Sequence, residues 1–272
     1  MNAPIGHQLH INGIRQHYLH YPSHSFDKDT IILIPGITSP AITWDFVARK
    51  LARHFDTYTI DVRGRGLSEA GPNIDYSLDA QAGDVVALAQ SLGLQRFTLI
   101  GHSMGARIAI RVAKNSPSEL TKVVLIDPPV SGPGRRPYPV PLEWFIEALA
   151  QARQGLRPED LRKQYPNWTE EQLRIRAEWL HTCDERAVIE NFSGFHHDDI
   201  HNDLRLLTIP LLLMTAERGD VVLNEDIEEL RRLNPQINHV QVADSGHMIP
   251  WDNETGFYAA LGNFLGLTLS FD

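Results

Sequence analysis

A serine hydroxyl becomes a useful nucleophile only when a base takes its proton and an acid orients that base. Residues 96–105, RFTLIGHSMG, set up such a serine. Phe97 to Ile100 form a short apolar run with β-branched members. The run breaks at Gly101, passes His102-Ser103-Met104, meets Gly105 and continues as ARIAIRVAKN with helical spacing. Strand, sharp turn and helix with serine at the apex describe a nucleophile elbow, where Gly101 and Gly105 leave room that side chains would fill. The helix opening after Ser103 aims backbone N–H groups at any negative charge developing beside the hydroxyl. The pentapeptide alone is a weak signal, because serine and glycine are common.

The partners strengthen it. His247 lies in a Gly-His loop after the last apparent strand and is the expected base. Two aspartates compete for the orienting acid. Asp127 ends the strand after the elbow helix and is followed by Pro128-Pro129, which stiffen its loop. Asp220, in TAERGDVV, follows the next strand, the usual place for the acid. It stands one residue out of register with a G-E-x-D pattern, whose acidic position falls on Gly219. A strand terminus holds a carboxylate more rigidly, which favours Asp127. The chain order Ser103, Asp127, His247 is that of doubly wound hydrolases. Backbone N–H groups of Met104 and Ile37 are the expected oxyanion donors, with Ile37 in the loop after Pro35-Gly36.

These residues need a sheet to position them. Residues 7–14 and 15–21 alternate in polarity about Asn12-Gly13, a hairpin signal. Their histidines (His7, His10, His17, His20), with His24 beyond, are expected on a solvated strand face rather than at a metal. Near-continuous apolar strands are expected at 30–35, 57–60, 97–100, 122–126, 209–215 and 239–243. Helices are expected at 42–54, 78–92, after Ser103 to about 115, at 225–233 and from 254. DVRGRGLS at 61–68 lacks the third glycine of a dinucleotide loop. Such alternation predicts an α/β fold, a mostly parallel eight-stranded sheet with helices on both faces. From 131 to 206 the strands stop, and helical patterns appear near 142–153, 158–164, 169–181 and 185–192. This predicts a core of 1–130 and 207–272, with a helical cap at 131–206 inserted after the sixth strand. Trp144, Trp168 and Trp179 are expected as cap core. The run His196-His197-Asp198-Asp199-Ile200-His201 lacks the spacing of a metal motif.

The 272 residues suffice for one large core, and 42% hydrophobic with 22% charged residues is ordinary for a globule. A formal charge of −9 argues against nucleic acid or an anionic membrane as partner. The only cysteine, Cys183, the absence of a secretory layout at the N-terminus and the absence of a spanning apolar run point to the cytoplasm. Nothing in the sequence sets an oligomeric state.

The PGI loop, DVRGRGLS, GHSMG and SGHMIP together resemble the α/β-hydrolase family along the full chain. GITSPAITW, GHSMGAR, DPPVSGPGRRPYP, RAEWLHTC and GHMIPWD make the chain most similar to the deamidases of aerobic nicotinate breakdown within that family. That resemblance implies an acid at Asp127. It also implies hydrolysis of the formyl C–N bond of N-formylmaleamate, a small anionic amide, to maleamate and formate, with no metal or other cofactor. The substrate carboxylate then needs a cation, for which Arg107, Arg135 and Arg136 are candidates. Rival readings are a carboxylesterase or C–C bond hydrolase with the same triad, and a ligand receptor of the same fold.

Overall fold

The computed structural model describes residues 3–23, 29–115, 117–267 and 269. Strands β1 (Ile5–Ile11) and β2 (Ile14–Tyr21) form the hairpin about Asn12-Gly13, both with positive φ. They precede β3 (Thr30–Ile34), β4 (Asp56–Ile60), β5 (Phe97–His102), β6 (Leu120–Ile126), β7 (Leu211–Ala216) and β8 (Ile237–Val242). The eight strands make one sheet in the order β1-β2-β4-β3-β5-β6-β7-β8, parallel from β4 to β8 and antiparallel at the hairpin edge.

Strands covered on both sides read as near-continuous apolar runs, and β3, β5 and β7 are buried throughout. Successive side chains then feed opposite layers. Ile32, Ile34, Leu99, Val123, Leu125, Leu211 and Leu213 pack with α2 (Leu78–Ser91), α3 (Met104–Lys114) and, further along the chain, Ile200, Leu204, Ile227 and Leu230. Ile31, Leu33, Ile100, Val124, Ile126, Leu212 and Met214 pack with α1 (Asp45–Leu51) and with Phe257 and Leu261. The helix expected at 42–54 is shorter: a 3₁₀ turn over Ala41–Trp44 leads into α1.

Between β6 and β7 lie α4 (Leu142–Arg153), α5 (Pro158–Arg162), α6 (Glu170–Trp179), α7 (Glu185–His197) and α8 (Ile200–Arg205), with no strand among the described residues. The expected 185–192 helix runs five residues further, and α8 begins within the histidine-rich run at 196–201. The Asp199 carboxylate accepts from the His201 and Asn202 N–H groups and so caps α8, a signal hidden among the surrounding histidines. After β7 come α9 (Asn224–Leu233), α10 (Ile249–Asp252) and α11 (Glu254–Leu265). Trp168 is buried and stacks on Trp251 at 5.3 Å, whereas Trp144 remains partly exposed. No described helix is long and apolar enough to cross a membrane.

One hairpin histidine departs from the expected solvated face. His17 is buried, with Nδ1 2.6 Å from Asp61 Oδ2. The same carboxylate accepts from the Ala41 N–H at 2.6 Å and the Leu67 N–H at 3.0 Å. DVRGRGLS is thus a structural knot tying the sheet edge to the loop after β3. Gly66 belongs there because it has φ 56° and a Cβ would sit 2.3 Å from the Asp61 carboxylate. His24 lies outside the described residues.

Arg107 joins α3 to the helical insertion. It is 1% exposed, and its guanidinium donates to the carbonyls of Pro129 (2.8 Å), Ser131 (3.0 Å), Gly194 (3.2 Å) and Asp198 (2.9 Å). Arg107→Met should strand these acceptors at about 1–3 kcal/mol for each one water fails to reach. The expected cost is about 3 kcal/mol or more, a fall in Tm of roughly 6–12 °C. Thermal unfolding of the variant checks this, and a fall below about 2 °C would contradict it.

Candidate active site

Ser103 sits between β5 and α3 with φ 53° and ψ −120°, a conformation that L-residues rarely adopt. Close packing on both sides enforces it. A Cβ at Gly101 would lie 2.2 Å from the Gly105 carbonyl oxygen, and one at Gly105 would lie 1.9 Å from the Ile34 carbonyl oxygen. Neither glycine has positive φ, so space rather than conformational freedom requires them. The chain turns through the serine because it has nowhere else to go.

Asp127 follows β6 at φ 46° and is fully buried. Its N–H donates to the Met214 carbonyl at 2.8 Å, extending the β6–β7 ladder. Its Oδ1 accepts from the Ala216 N–H at 3.3 Å, and its Oδ2 lies 2.7 Å from His247 Nδ1. A carboxylate can only accept, so Nδ1 carries the hydrogen, and the neutral imidazole so oriented has its lone pair on Nε2. Asp220 is exposed, and Arg136 donates to its carbonyl oxygen. The carboxylate that meets His247 is therefore Asp127.

His102 is a further support. Its Nε2 donates to the His247 carbonyl at 2.9 Å, which anchors the backbone carrying the imidazole. Burial pushes His102 down to about 3, with the neighbouring His247 adding to the shift. Its neutrality is useful, since a second cation would oppose charge on His247.

The loop after β3 approaches from the other side. Ser39 N–H donates to the Gly36 carbonyl at 3.1 Å, which fixes the Gly36–Ile37 peptide. Across a trans peptide the Ile37 N–H points opposite to that carbonyl. The buried Arg65 Nε donates to the Ile37 carbonyl at 2.9 Å and pins the next peptide. Neither the Ile37 nor the Met104 N–H has an acceptor among the described residues.

A cavity of about 200 Å³ opens over these groups, lined by Gly36, Ile37, Ser103, Tyr138, Trp144, Arg176 and His247 among others. The three arginines expected to face the substrate do not reach it. Arg107 is consumed by carbonyls and borders a separate cavity of about 270 Å³ that contains neither Ser103 nor His247. Arg135 pairs with Glu229 at 2.7 Å and Arg136 with Asp226 at 2.5 Å. The cation that lines the cavity is Arg176, from α6. Sequence reasoning passed over it and over Tyr138, which lines the same cavity as Ser103 and whose buried hydroxyl is pushed up mainly by desolvation. Both belong to segments that carried the resemblance, but no spacing rule relates an inserted helix to a serine some seventy residues earlier. Among the described residues no group of three or more His, Cys, Asp or Glu side chains could hold a metal ion.

A family model described as alpha/beta hydrolase fold matches residues 29–254. The chain is 52% identical over 260 residues to N-formylmaleamate deformylase of Pseudomonas putida, covering 96% of each. It is 26% identical over 250 residues to 2-(acetamidomethylene)succinate hydrolase of Mesorhizobium japonicum, covering 86% of this chain and 87% of that protein. Among solved structures, N-formylmaleamic acid deformylase from Pseudomonas putida S16 superposes with a TM-score of 0.89 at 50% identity, over 94% of this chain and all of that one.

Two buried histidines give a pH prediction. Burial holds His102 near 3 and His201 near 4, against about 6.5 in the unfolded chain. Below about pH 6.5 the unfolded state binds protons that the native state refuses, so stability is full above that pH and falls beneath it. The loss should approach about 1.4 kcal/mol per pH unit per histidine between roughly pH 6.5 and 5, above the carboxylate range. Denaturant unfolding across that window checks this, and constant stability would contradict it.

Proposed function

Since the chain belongs to the α/β-hydrolase family, we propose that it is a serine hydrolase that cleaves the formyl C–N bond of N-formylmaleamate, releasing maleamate and formate. Supporting the substrate are the 52% identity to a protein of that activity and a cavity of about 200 Å³. That volume lies below the ~300–1,000 Å³ of drug-sized pockets and suits an acyl amide of about ten heavy atoms. The observation that carries the chemistry is Asp127 Oδ2 at 2.7 Å from His247 Nδ1, beside a serine held at an elbow.

In this reading His247 Nε2 removes the Ser103 proton as Oγ bonds to the formyl carbon. The resulting oxyanion accepts hydrogen bonds from the Met104 and Ile37 N–H groups, already oriented before substrate arrives. When the tetrahedral adduct collapses, the C–N bond breaks and His247 returns the proton to the maleamate nitrogen. That nitrogen lies between two carbonyls and leaves more readily than a simple amide nitrogen. Water, deprotonated by the same imidazole, then adds to the formyl ester; formate departs and Ser103 regains its proton. Asp127 keeps the Nδ1–H tautomer and stabilises the imidazolium formed in each half. Every step needs one base, one acid and two N–H donors.

We assign residues 131–206 as a cap over this chemistry, because α4 and α6 bring Trp144, Phe145 and Arg176 to the cavity wall. The lone Cys183 is buried with its thiol pushed up to about 11, an inert group at home in a reducing cytoplasm.

Formate release from N-formylmaleamate should be rapid in the wild type and fall by about 10³-fold or more in Ser103→Ala. Asp127→Asn should cost roughly 10²–10⁴-fold and Asp220→Asn less than about threefold. A coupled formate assay, with p-nitrophenyl acetate as control, reads all four proteins. Ester cleavage without formate release would replace the amide by an ester or C–C substrate. Turnover of neither would favour a receptor.

A further inference from the structure

In a protein of net charge −9, most arginines that are buried or half-buried meet a carboxylate. Arg63 meets Asp84, Arg111 meets Asp79 and Asp203, and Arg135 and Arg136 meet Glu229 and Asp226. Arg65 and Arg107 have no carboxylate partner among the described residues, but carbonyls in closed interior positions take up their guanidinium groups. Arg176 differs from both groups. It is 6% exposed, its Nη1 donates to the Thr38 carbonyl, and its Nη2 donates to the Thr38 hydroxyl at 3.1 Å. A guanidinium has five N–H donors, so two bonds to Thr38 leave three. No carboxylate among the described residues pairs with it, and none lines the cavity that it shares with Ser103.

We propose that Arg176 is the subsite that binds the substrate's carboxylate and selects anionic acyl amides over neutral ones. The inference rests on the hydrolase reading above and adds to it the residue that sets charge specificity. A buried cation with no counter-ion is costly unless a ligand supplies one, and a planar guanidinium matches a carboxylate through two parallel N–H bonds. That cation lines the same cavity as the nucleophile. Thr38 anchors it, and Thr38 directly follows the Ile37 N–H proposed for the oxyanion. A substrate with carboxylate at one end and formyl amide at the other is thereby held at both.

The test compares wild type, Arg176→Met and Arg176→Lys on two substrates and one inhibitor. The substrates are N-formylmaleamate and the neutral ester p-nitrophenyl formate; the inhibitor is maleamate, acting against ester hydrolysis. Arg176→Met should lower the amide-to-ester ratio of kcat/KM by about 10²-fold, chiefly through KM for the amide. It should weaken maleamate inhibition at least about tenfold, with Arg176→Lys intermediate because a point charge replaces the fork. An unchanged ratio would overturn the proposal and leave Arg176 as a strut for Thr38, as would maleamate inhibition independent of residue 176. A wild type that fails to deformylate the amide, yet is inhibited by maleamate in an Arg176-dependent way, would keep the subsite and sink only the substrate.

Discussion

The architecture turns on one close approach of backbone to backbone. The first turn of α3 lies so near the end of β3 that a methyl group on Gly105 would fall 1.9 Å from the Ile34 carbonyl oxygen. That contact denies Ser103 an ordinary turn and holds it at φ 53°. It also brings the loop after β3 against the elbow, where a Cβ on Gly36 would touch His102 Nδ1 at 3.2 Å and Ser103 Cβ at 3.4 Å. Nucleophile, helix N-terminus and the Ile37 N–H are therefore fixed by the same packing. Moving one would require moving the sheet.

Around this contact, hydrogen bonds to backbone groups do most of the orienting. Ala216 N–H steadies Asp127, His102 steadies the His247 backbone, and Arg65 steadies the Ile37 carbonyl. Each supporting side chain has one protonation state near neutral pH: burial keeps His102 uncharged, and Arg65 stays charged although burial lowers it to about 10. Arg176 joins this scheme at Thr38, so the group proposed to bind substrate also braces the loop proposed to stabilise the transition state.

Much of this was legible in the chain because it is local. The Ser103 turn follows from five consecutive residues, and the buried strands follow from runs such as TIILI and LLLMTA that no solvated strand could carry. The hairpin follows from Asn12-Gly13. The choice of Asp127 over Asp220 could be argued from strand termini, and the structure places Asp127, rather than exposed Asp220, beside His247. Illegible features depended on long-range placement. His17 reads as a surface histidine until Asp61 is found beneath it. Arg107 reads as a ligand for an anion because it lies one helical turn from Ser103, yet the carbonyls of Pro129, Ser131, Gly194 and Asp198 take up its guanidinium, which borders a cavity without Ser103 or His247. Arg176 reads as one more arginine on an amphipathic helix. Only the fold of the insertion over the sheet brings it to the cavity.

The central claim is that Ser103 and His247 act as one unit. The most direct measurement is kcat for formate release in Ser103→Ala, His247→Ala and the double variant. Members of a unit are grossly non-additive, so the account predicts that the double variant is within about threefold of Ser103→Ala. Losses that multiply would contradict it, because they would mean that each residue contributes without the other.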